Sequence, residues 1–358
     1  MGKCQTVWLP AAPDPDGYAS WPMAAEEALV LRIGEREVSI THPERVIFPR
    51  IGATKADLAR YYVQVGEAVM RGMRDRPMLL KRYPRGAESE AFYQQHAPTS
   101  RPSWVQTTRV EFGGGGTAEQ VVCSELGVIA WLVNLGCIEL HPWAVRVPNL
   151  DTPDELRVDL DPGTSTDWPD VKHVALTVRE ALEDVRLSSF PKTSGSRGIH
   201  IQVPIEPRWD FLLVRRAAIA LAREVERRLP TTATSAWWKE ERGGRVLLDY
   251  NQNARGKTTA AAYSVRASPE ARVSCPLTWD ELPSAELAAF TIHTVPERLA
   301  HQADPLERMQ ERAGSLDKLL EWVERDEANG LGDAPWPPHF RRVKGEPVRA
   351  APSRRRRT

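Results

Sequence analysis

The run Val158-Asp159-Leu160-Asp161-Pro162 sets two carboxylates one residue apart in an apolar stretch. Along a β-strand successive side chains alternate faces, so Asp159 and Asp161 project from one side while Leu160 points the other way. Pro162 and Gly163 then end the strand and leave the pair at an edge open to a ligand. Two like charges that close repel each other unless a cation sits between them. Hard divalent ions such as magnesium or manganese take carboxylate oxygens. The pattern reads as a metal cradle, with two solvated aspartates before a turn as the plainer alternative. A third acid, Asp249, closes another apolar run, Arg245-Val246-Leu247-Leu248-Asp249-Tyr250.

Cations are placed as though for phosphates. The stretch Ser194-Gly195-Ser196-Arg197-Gly198-Ile199-His200 is a small-residue loop feeding an alternating strand. Glycines let backbone approach a ligand, amides and Ser194 can donate to phosphate oxygens, and Arg197 supplies charge. His200, just beyond, lies within reach of the same group. The loop holds no GK[ST] triplet and is not a P-loop; a simple turn is the other reading. Arg45 and Lys55 flank a predicted helix start at Thr54, where helix amides favour an anion. They read as a phosphate grip or as two surface charges. Tyr93 belongs to Ala91-Phe92-Tyr93-Gln94, where an aromatic either stacks on a base or fills the core.

The elements that must hold these residues follow from periodicity and turn chemistry. Alternation around Gly34-Glu35-Arg36 predicts a hairpin over 29–40. A helix is expected from Thr54, with Leu58, Tyr61, Tyr62, Val65 and Val69 on one face. Strands are expected at 78–84, ending in Lys81 and Arg82, at 138–143 with His141 at the exit, and at 263–266 ending in Arg266. Gly113 to Gly116 read as a flexible linker between two strands. Helices are predicted at 125–135, capped by Ser124 and closed by Gly136, and at 169–185, 209–229, 295–302 and 304–328. Gln252 sits in a polar loop, 251–257. Strands alternating with helices, together with hairpins, give a mixed α/β or α+β class.

Composition narrows the function classes. A chain of 358 residues with 41% hydrophobic and 27% charged residues has the make-up of a soluble globular protein with a substantial core. Neither a membrane-length apolar run nor a signal peptide is present, so a cytoplasmic location is expected. Cys4, Cys123, Cys137 and Cys275 lack CxxC spacing; Cys123 and Cys137 read as small hydrophobes rather than as metal ligands with His141. The 48 basic and 48 acidic residues cancel, yet residues 341–358 hold eight Lys/Arg against Glu346. That leaves +7 on the end and −7 on the remainder. Three parts are expected: an irregular extension over 1–28, one catalytic domain over 29–330, and a disordered Pro/Arg-rich tail over 331–358. The Arg354 to Arg357 run suits a polyanion, or serves only solubility.

Taken together, the motifs resemble the archaeo-eukaryotic primases, and more narrowly the polymerase domain of bacterial ligase D. The resemblance rests on Asp159 and Asp161, on Ser194 to His200 and on Asp249, with T-H-P-E-R-V-I-F-P (41–49), T-K-A-D-L (54–58), R-P-M-L-L-K-R-Y-P (76–84), I-E-L-H-P-W (138–143), K-T-S-G (192–195) and A-A-Y-S-V-R-A (261–267) in support. It spans about 29–320 and implies a primase-type core of β-sheets flanked by helices. It further implies that Asp159, Asp161 and Asp249 hold two divalent ions, manganese or magnesium, and that Ser194, Arg197, His200, Lys81 and Arg266 hold the triphosphate of an incoming nucleotide. By the same likeness Tyr93 stacks on the base, Gln252 and His141 contact nucleotide or primer-side groups, and Arg45 with Lys55 grips a downstream 5′-phosphate. The family often has Lys where Arg45 stands; Arg keeps the charge and changes the geometry. The expected activity is template-dependent, ribonucleotide-preferring primer extension and gap filling in DNA repair, by a free-standing, monomeric bacterial relative associated with the nucleoid. DNA, nucleotides and Ku-like or ligase partners would be its company. De novo priming, non-catalytic DNA-end binding and a metal-dependent nuclease remain the alternatives.

Overall fold

Alternation about Gly34 folds into the expected hairpin, β1 (Leu29–Ile33) and β2 (Arg36–Ile40). The computed structural model describes residues 28–342 and 346–349; residues 1–27 of the expected extension and Arg354 to Arg357 lie outside the described residues. Two short strands, β3 (Val46–Phe48) and β4 (Ala53–Thr54), lead into α1 (Lys55–Gln64). Thr54 caps that helix through a reciprocal box: Asp57 N–H donates to the Thr54 hydroxyl, and Thr54 N–H donates to the Asp57 carboxylate. The predicted helical face continues, after a break at Val65, into α2 (Gly66–Met73).

The next run of chain builds the first sheet: β5 (Arg76–Arg82), β6 (Phe92–Gln94), β7 (Thr107–Glu111), β8 (Thr117–Cys123), then α3 (Leu126–Asn134) and β9 (Cys137–Pro142). Its order is β6-β5-β8-β7, with β9 also paired to β5. Ser124 does not cap α3; Glu125 takes the N-cap position, and its side chain is held by Arg36 at 3.0 Å. Cys123 and Cys137 are buried in the core, as their apolar flanks predict.

The second sheet is formed by β10 (Glu155–Asp161), then, after α4 (Trp168–Asp184), β11 (Phe190–Thr193) and β12 (Ile199–Pro204) and, after α5 (Phe211–Arg228), β13 (Ala233–Thr234) and β14 (Val246–Leu248). The order is β11-β12-β10-β14-β13, antiparallel except for the β13–β14 pair. The α4 residues Val171, Val174, Val178 and Leu182 are fully buried at its helical period. A buried charge network ties the two sheets together. Arg76 on β5 makes two parallel bonds to Asp154 at 2.7 and 2.9 Å, and Arg157 on β10 donates to the Pro142 carbonyl of β9 at 3.0 Å.

The fold class agrees with the sequence: a mixed α+β core of two sheets with flanking helices. Three local expectations are corrected. Residues 263–266 form no ladder strand, because Tyr263 takes φ 63 and only an isolated bridge joins Val265 to Val273. The helix expected over 304–328 reduces to α7 (Asp317–Ala328), preceded by α6 (Thr294–His301). Gly314 instead pairs with the end of β12, its N–H donating to Pro204 at 3.1 Å and its carbonyl accepting from Glu206 at 3.0 Å. Finally, residues 331–342, assigned by composition to a tail, pack on the fold: Trp336 and Phe340 are buried together with Ala254. The Gly113 to Gly116 turn is their seat, since a Cβ on Gly113 would lie 2.4 Å from the Phe340 ring.

Candidate active site

Strand pairing brings the three acids together. Asp159 lies opposite His200 and Asp161 opposite Leu247, while the Asp249 amide donates to the Asp159 carbonyl at 2.9 Å. Asp159, Asp161 and Asp249 each offer a carboxylate oxygen within 4.8 Å of the others. Burial raises all three: Asp159 to about 6, Asp161 to about 6 and Asp249 to about 7. For Asp159 burial is the driving cause, offset by Lys192 and Arg266; for Asp161 and Asp249 the Asp159 charge adds to burial. Asp249 is steadied by the Asn251 amide at 3.0 Å and the Gln252 side-chain amide at 2.9 Å. Three converging acids with raised pKa values are a hard-cation donor set, and the residues fit a divalent metal.

The predicted phosphate loop sits against these acids. Gly198 crosses β10 so closely that a Cβ there would lie 2.2 Å from the Leu160 carbonyl oxygen. The Ser194 hydroxyl accepts from Ser196 N–H at 3.2 Å and Gly198 N–H at 3.1 Å. Those two amides therefore organise the loop rather than face a ligand, while the Ser194 proton is left to donate. Arg197 is exposed at the rim. A cleft of about 410 Å³ is lined by Asp161, Ser194, Ser196, Arg197 and, across from them, Lys239 and Arg242. Nothing in the sequence reading singled out Lys239 or Arg242. They sit near a short 3-10 turn before β14, with no motif to mark them.

Of the other residues expected to meet a nucleotide, Lys81, Tyr93 and His141 lie on the first sheet; Lys81 and His141, with Arg266 from outside that sheet, converge on Glu139, which the sequence reading also missed. Lys81 pairs across the ladder with both Glu139 and Tyr93. The Glu139 carboxylate meets Lys81 Nζ at 3.0 Å, His141 Nε2 at 2.9 Å and Arg266 Nε at 3.2 Å, and it accepts the Tyr83 hydroxyl. Burial alone would raise Glu139, but the His141 bond and the Arg266 and Lys81 charges outweigh it and hold the acid well below its ordinary range. Arg266 also donates to the Ser194 carbonyl at 3.2 Å, joining this cluster to the phosphate loop. Tyr93 and its neighbour Phe92 are 56% and 55% exposed and do not fill the core; Lys81 Nζ lies 5.8 Å from the Tyr93 ring centroid.

Arg45 and Lys55 lie apart from the acids, in a separate cavity of about 190 Å³ shared with Arg82 and Asn134. The helix N-terminus there is not open to an anion. Lys55 N–H, Ala56 N–H and Asp57 N–H are taken by the Arg45 carbonyl, the Pro43 carbonyl and the Thr54 hydroxyl. Only the side-chain cations remain for a ligand. Lys55 Nζ donates to the Thr41 carbonyl and the Asn134 side chain, both at 2.8 Å. Burial, aided by Arg45 repulsion, lowers Lys55 to about 8.

Comparison with known proteins agrees with this geometry. Residues 54–306 match the family model described as LigD, primase-polymerase domain. The fold and this family match thus define a nucleotidyltransferase, with three acids that fit a divalent metal. The chain belongs to the LigD primase-polymerase domain family. It is 34% identical over 300 residues to the multifunctional non-homologous end joining protein LigD of Mycobacterium bovis, covering 80% of this chain and 39% of that protein. It is 34% identical over 264 residues to the corresponding protein of Pseudomonas aeruginosa, covering 73% and 31%. The chain thus spans about two fifths or less of the length of these curated relatives. Among solved structures it is similar to the polymerase domain of Mycobacterium tuberculosis ligase D in complex with DNA, with a TM-score of 0.73, 31% identity, and coverage of 78% of this chain and all of that one. Among the described residues no helix is long and apolar enough to cross a membrane.

Proposed function

We propose that the protein extends a primer 3′ end on DNA, preferring ribonucleotides, and fills short gaps during end-joining repair. The observation that carries this reading is one constellation: three aspartates on neighbouring strand ends, with the Ser194–His200 loop and a cluster of cations beside them. Asp159, Asp161 and Asp249 would hold two divalent ions, manganese or magnesium, which when bound activate the attacking hydroxyl and neutralise phosphate charge. Ser194, Arg197, His200, Lys81 and Arg266 bind and orient the triphosphate; pre-positioned donors of this kind stabilise charge that grows during transfer. Tyr93 offers its exposed face to the base, and His141 and Gln252 meet sugar or primer-side groups. Arg45 and Lys55 hold a 5′-phosphate at the far side of a gap, and the partners are those of end joining, a Ku-like end binder and a ligase.

Primer extension on a short 5′-phosphorylated gap with manganese tests the reading, wild type against Asp159→Ala/Asp161→Ala. Extension by wild type alone, with ribonucleotides ahead of deoxyribonucleotides, is expected. Tight DNA binding without extension would instead point to an end-binding module, and product from a circular single-stranded template without primer would point to a primase.

A further inference from the structure

The second sheet carries a buried lysine that the reading above does not use. Lys192 on β11 lies opposite His200 on β12, and His200 lies opposite Asp159 on β10. Directly opposed residues share a sheet face, so the three side chains form one row leading to the acids. Lys192 is 1% exposed, which is rare for a lysine. Its Nζ has three neighbours within hydrogen-bond distance: His200 Nδ1 at 2.7 Å, the Ala260 carbonyl at 2.8 Å and Ser274 Oγ at 2.6 Å. At the other edge of the ring, His200 Nε2 lies 3.3 Å from Asp159 Oδ1.

Proton accounting fixes the direction of each bond. The Ser274 hydroxyl proton is committed to the Thr193 carbonyl at 2.7 Å, so Ser274 Oγ accepts from Lys192. The Ala260 carbonyl can only accept. An ammonium has three protons, and the third points to His200 Nδ1. A ring whose Nδ1 accepts carries its single proton on Nε2, the nitrogen that faces a carboxylate. The Nδ1 edge thus sets the tautomer, and the Nε2 edge turns its proton to the Asp159 side.

We propose that Lys192 is a positioning residue: its three-bonded ammonium locks His200 as the Nε2–H tautomer, so that the ring presents a donor to a nucleotide phosphate bound beside the acids. The assignment rests on the proposed triphosphate role of His200. Without Lys192 the neutral ring is free to move its proton to Nδ1 and turn a lone pair towards phosphate and carboxylate. Burial above all, with repulsion from Arg266 and Arg157, lowers Lys192 to about 7 against the favourable charges of Glu155 and Asp159, so the three-proton ammonium is the form present below that pH.

The test uses selective ¹⁵N-histidine NMR on the metal-free, nucleotide-free protein slightly below neutral pH, with His200→Gln to assign the signals. Wild type is expected to show an unprotonated Nδ1 and a protonated Nε2 on His200, and Lys192→Met to lose that fixed pattern. A protonated Nδ1 in wild type overturns the proposal, whether or not the variant folds and whether or not the protein extends primers. Steady-state kinetics supply the second arm. Lys192→Met is expected to raise the nucleotide KM about ten- to hundred-fold, the effect of losing one hydrogen bond to a charged group, with DNA affinity unchanged. Lys192→Met/His200→Gln should lose no more than His200→Gln alone. Additive losses would mean that Lys192 only supports the core.

Discussion

Replacing Asp249 by Asn separates the cost of the acid cluster from its use. The Asp249 carboxyl stands at about 7 against an ordinary 3.8, raised by burial and by Asp159. That shift of about 3 units corresponds to at most roughly 4 kcal/mol at 1.36 kcal/mol per unit, and relaxation and coupling reduce it to about 1–3 kcal/mol. A carboxyl raised on folding contributes stability below its unfolded value, and this is lost as pH rises through about 7. Above that pH the wild-type protein carries a penalty that Asn does not. The hydrogen bonds survive, because Asn keeps one acceptor for the Asn251 amide and the Gln252 amide can turn its oxygen towards the new NH₂ group. Thermal melts in chelator at mildly alkaline pH should place Asp249→Asn about 2–8 °C above wild type, the gap closing as pH falls towards 4. Added manganese should then stabilise wild type by mass action and the variant far less. A variant no more stable than wild type in chelator, or one with an undiminished manganese shift, would refute the strained-cluster account.

Other perturbations probe other parts of the molecule. The preference for a 5′-phosphate over a 5′-hydroxyl gap end should fade as pH rises through about 8, where Lys55 loses its charge, rather than near its ordinary 10.5; equilibrium binding to both ends across pH checks this. Tyr93→Ala should weaken nucleotide binding by about 1–3 kcal/mol while leaving the melting temperature unchanged, because the ring is exposed. Asp333→Ala should destabilise the fold by roughly 3–5 kcal/mol in denaturant titration, because it leaves the fully buried Arg215 without its carboxylate partner at 2.8 Å. An unaltered midpoint would mean that the Asp333 carboxylate is not what holds Arg215, leaving that task to the Ala334 and Pro335 carbonyls.

Much of the site is written in short-range pattern. The D-x-D alternation places Asp159 and Asp161 on one face before any partner strand is known, and Thr54 with Asp57 three positions on announces a helix start. The Ser194 to His200 loop was legible from its small residues and its following alternation. What pattern does not encode is which strand lies beside which. Glu139 looks like one acid in an apolar strand, and only the β5–β9 register and the arrival of Arg266 make it the counter-charge of two cations, Lys81 and Arg266. Gly314 and Tyr263 defeat the local reading because distant backbone and an unusual φ override helix and strand preference.

Sequence alone determined the chemical types and the faces they occupy: three strand-end acids, a small-residue cationic loop, and the membership these motifs announce. Tertiary structure decided which of them meet. Asp249 joins Asp159 through sheet order, 90 residues apart in the chain, and Lys192 becomes a buried tripod only when β11 aligns with β12 and Ala260 and Ser274 close over it. Residues 331–342 become part of the fold because Arg215, buried in α5, finds Asp333 and the Trp336 ring there. The physical reason is common to all three. Periodicity reports the environment of one element, whereas burial and charge pairing depend on neighbours that arrive from elsewhere in the chain.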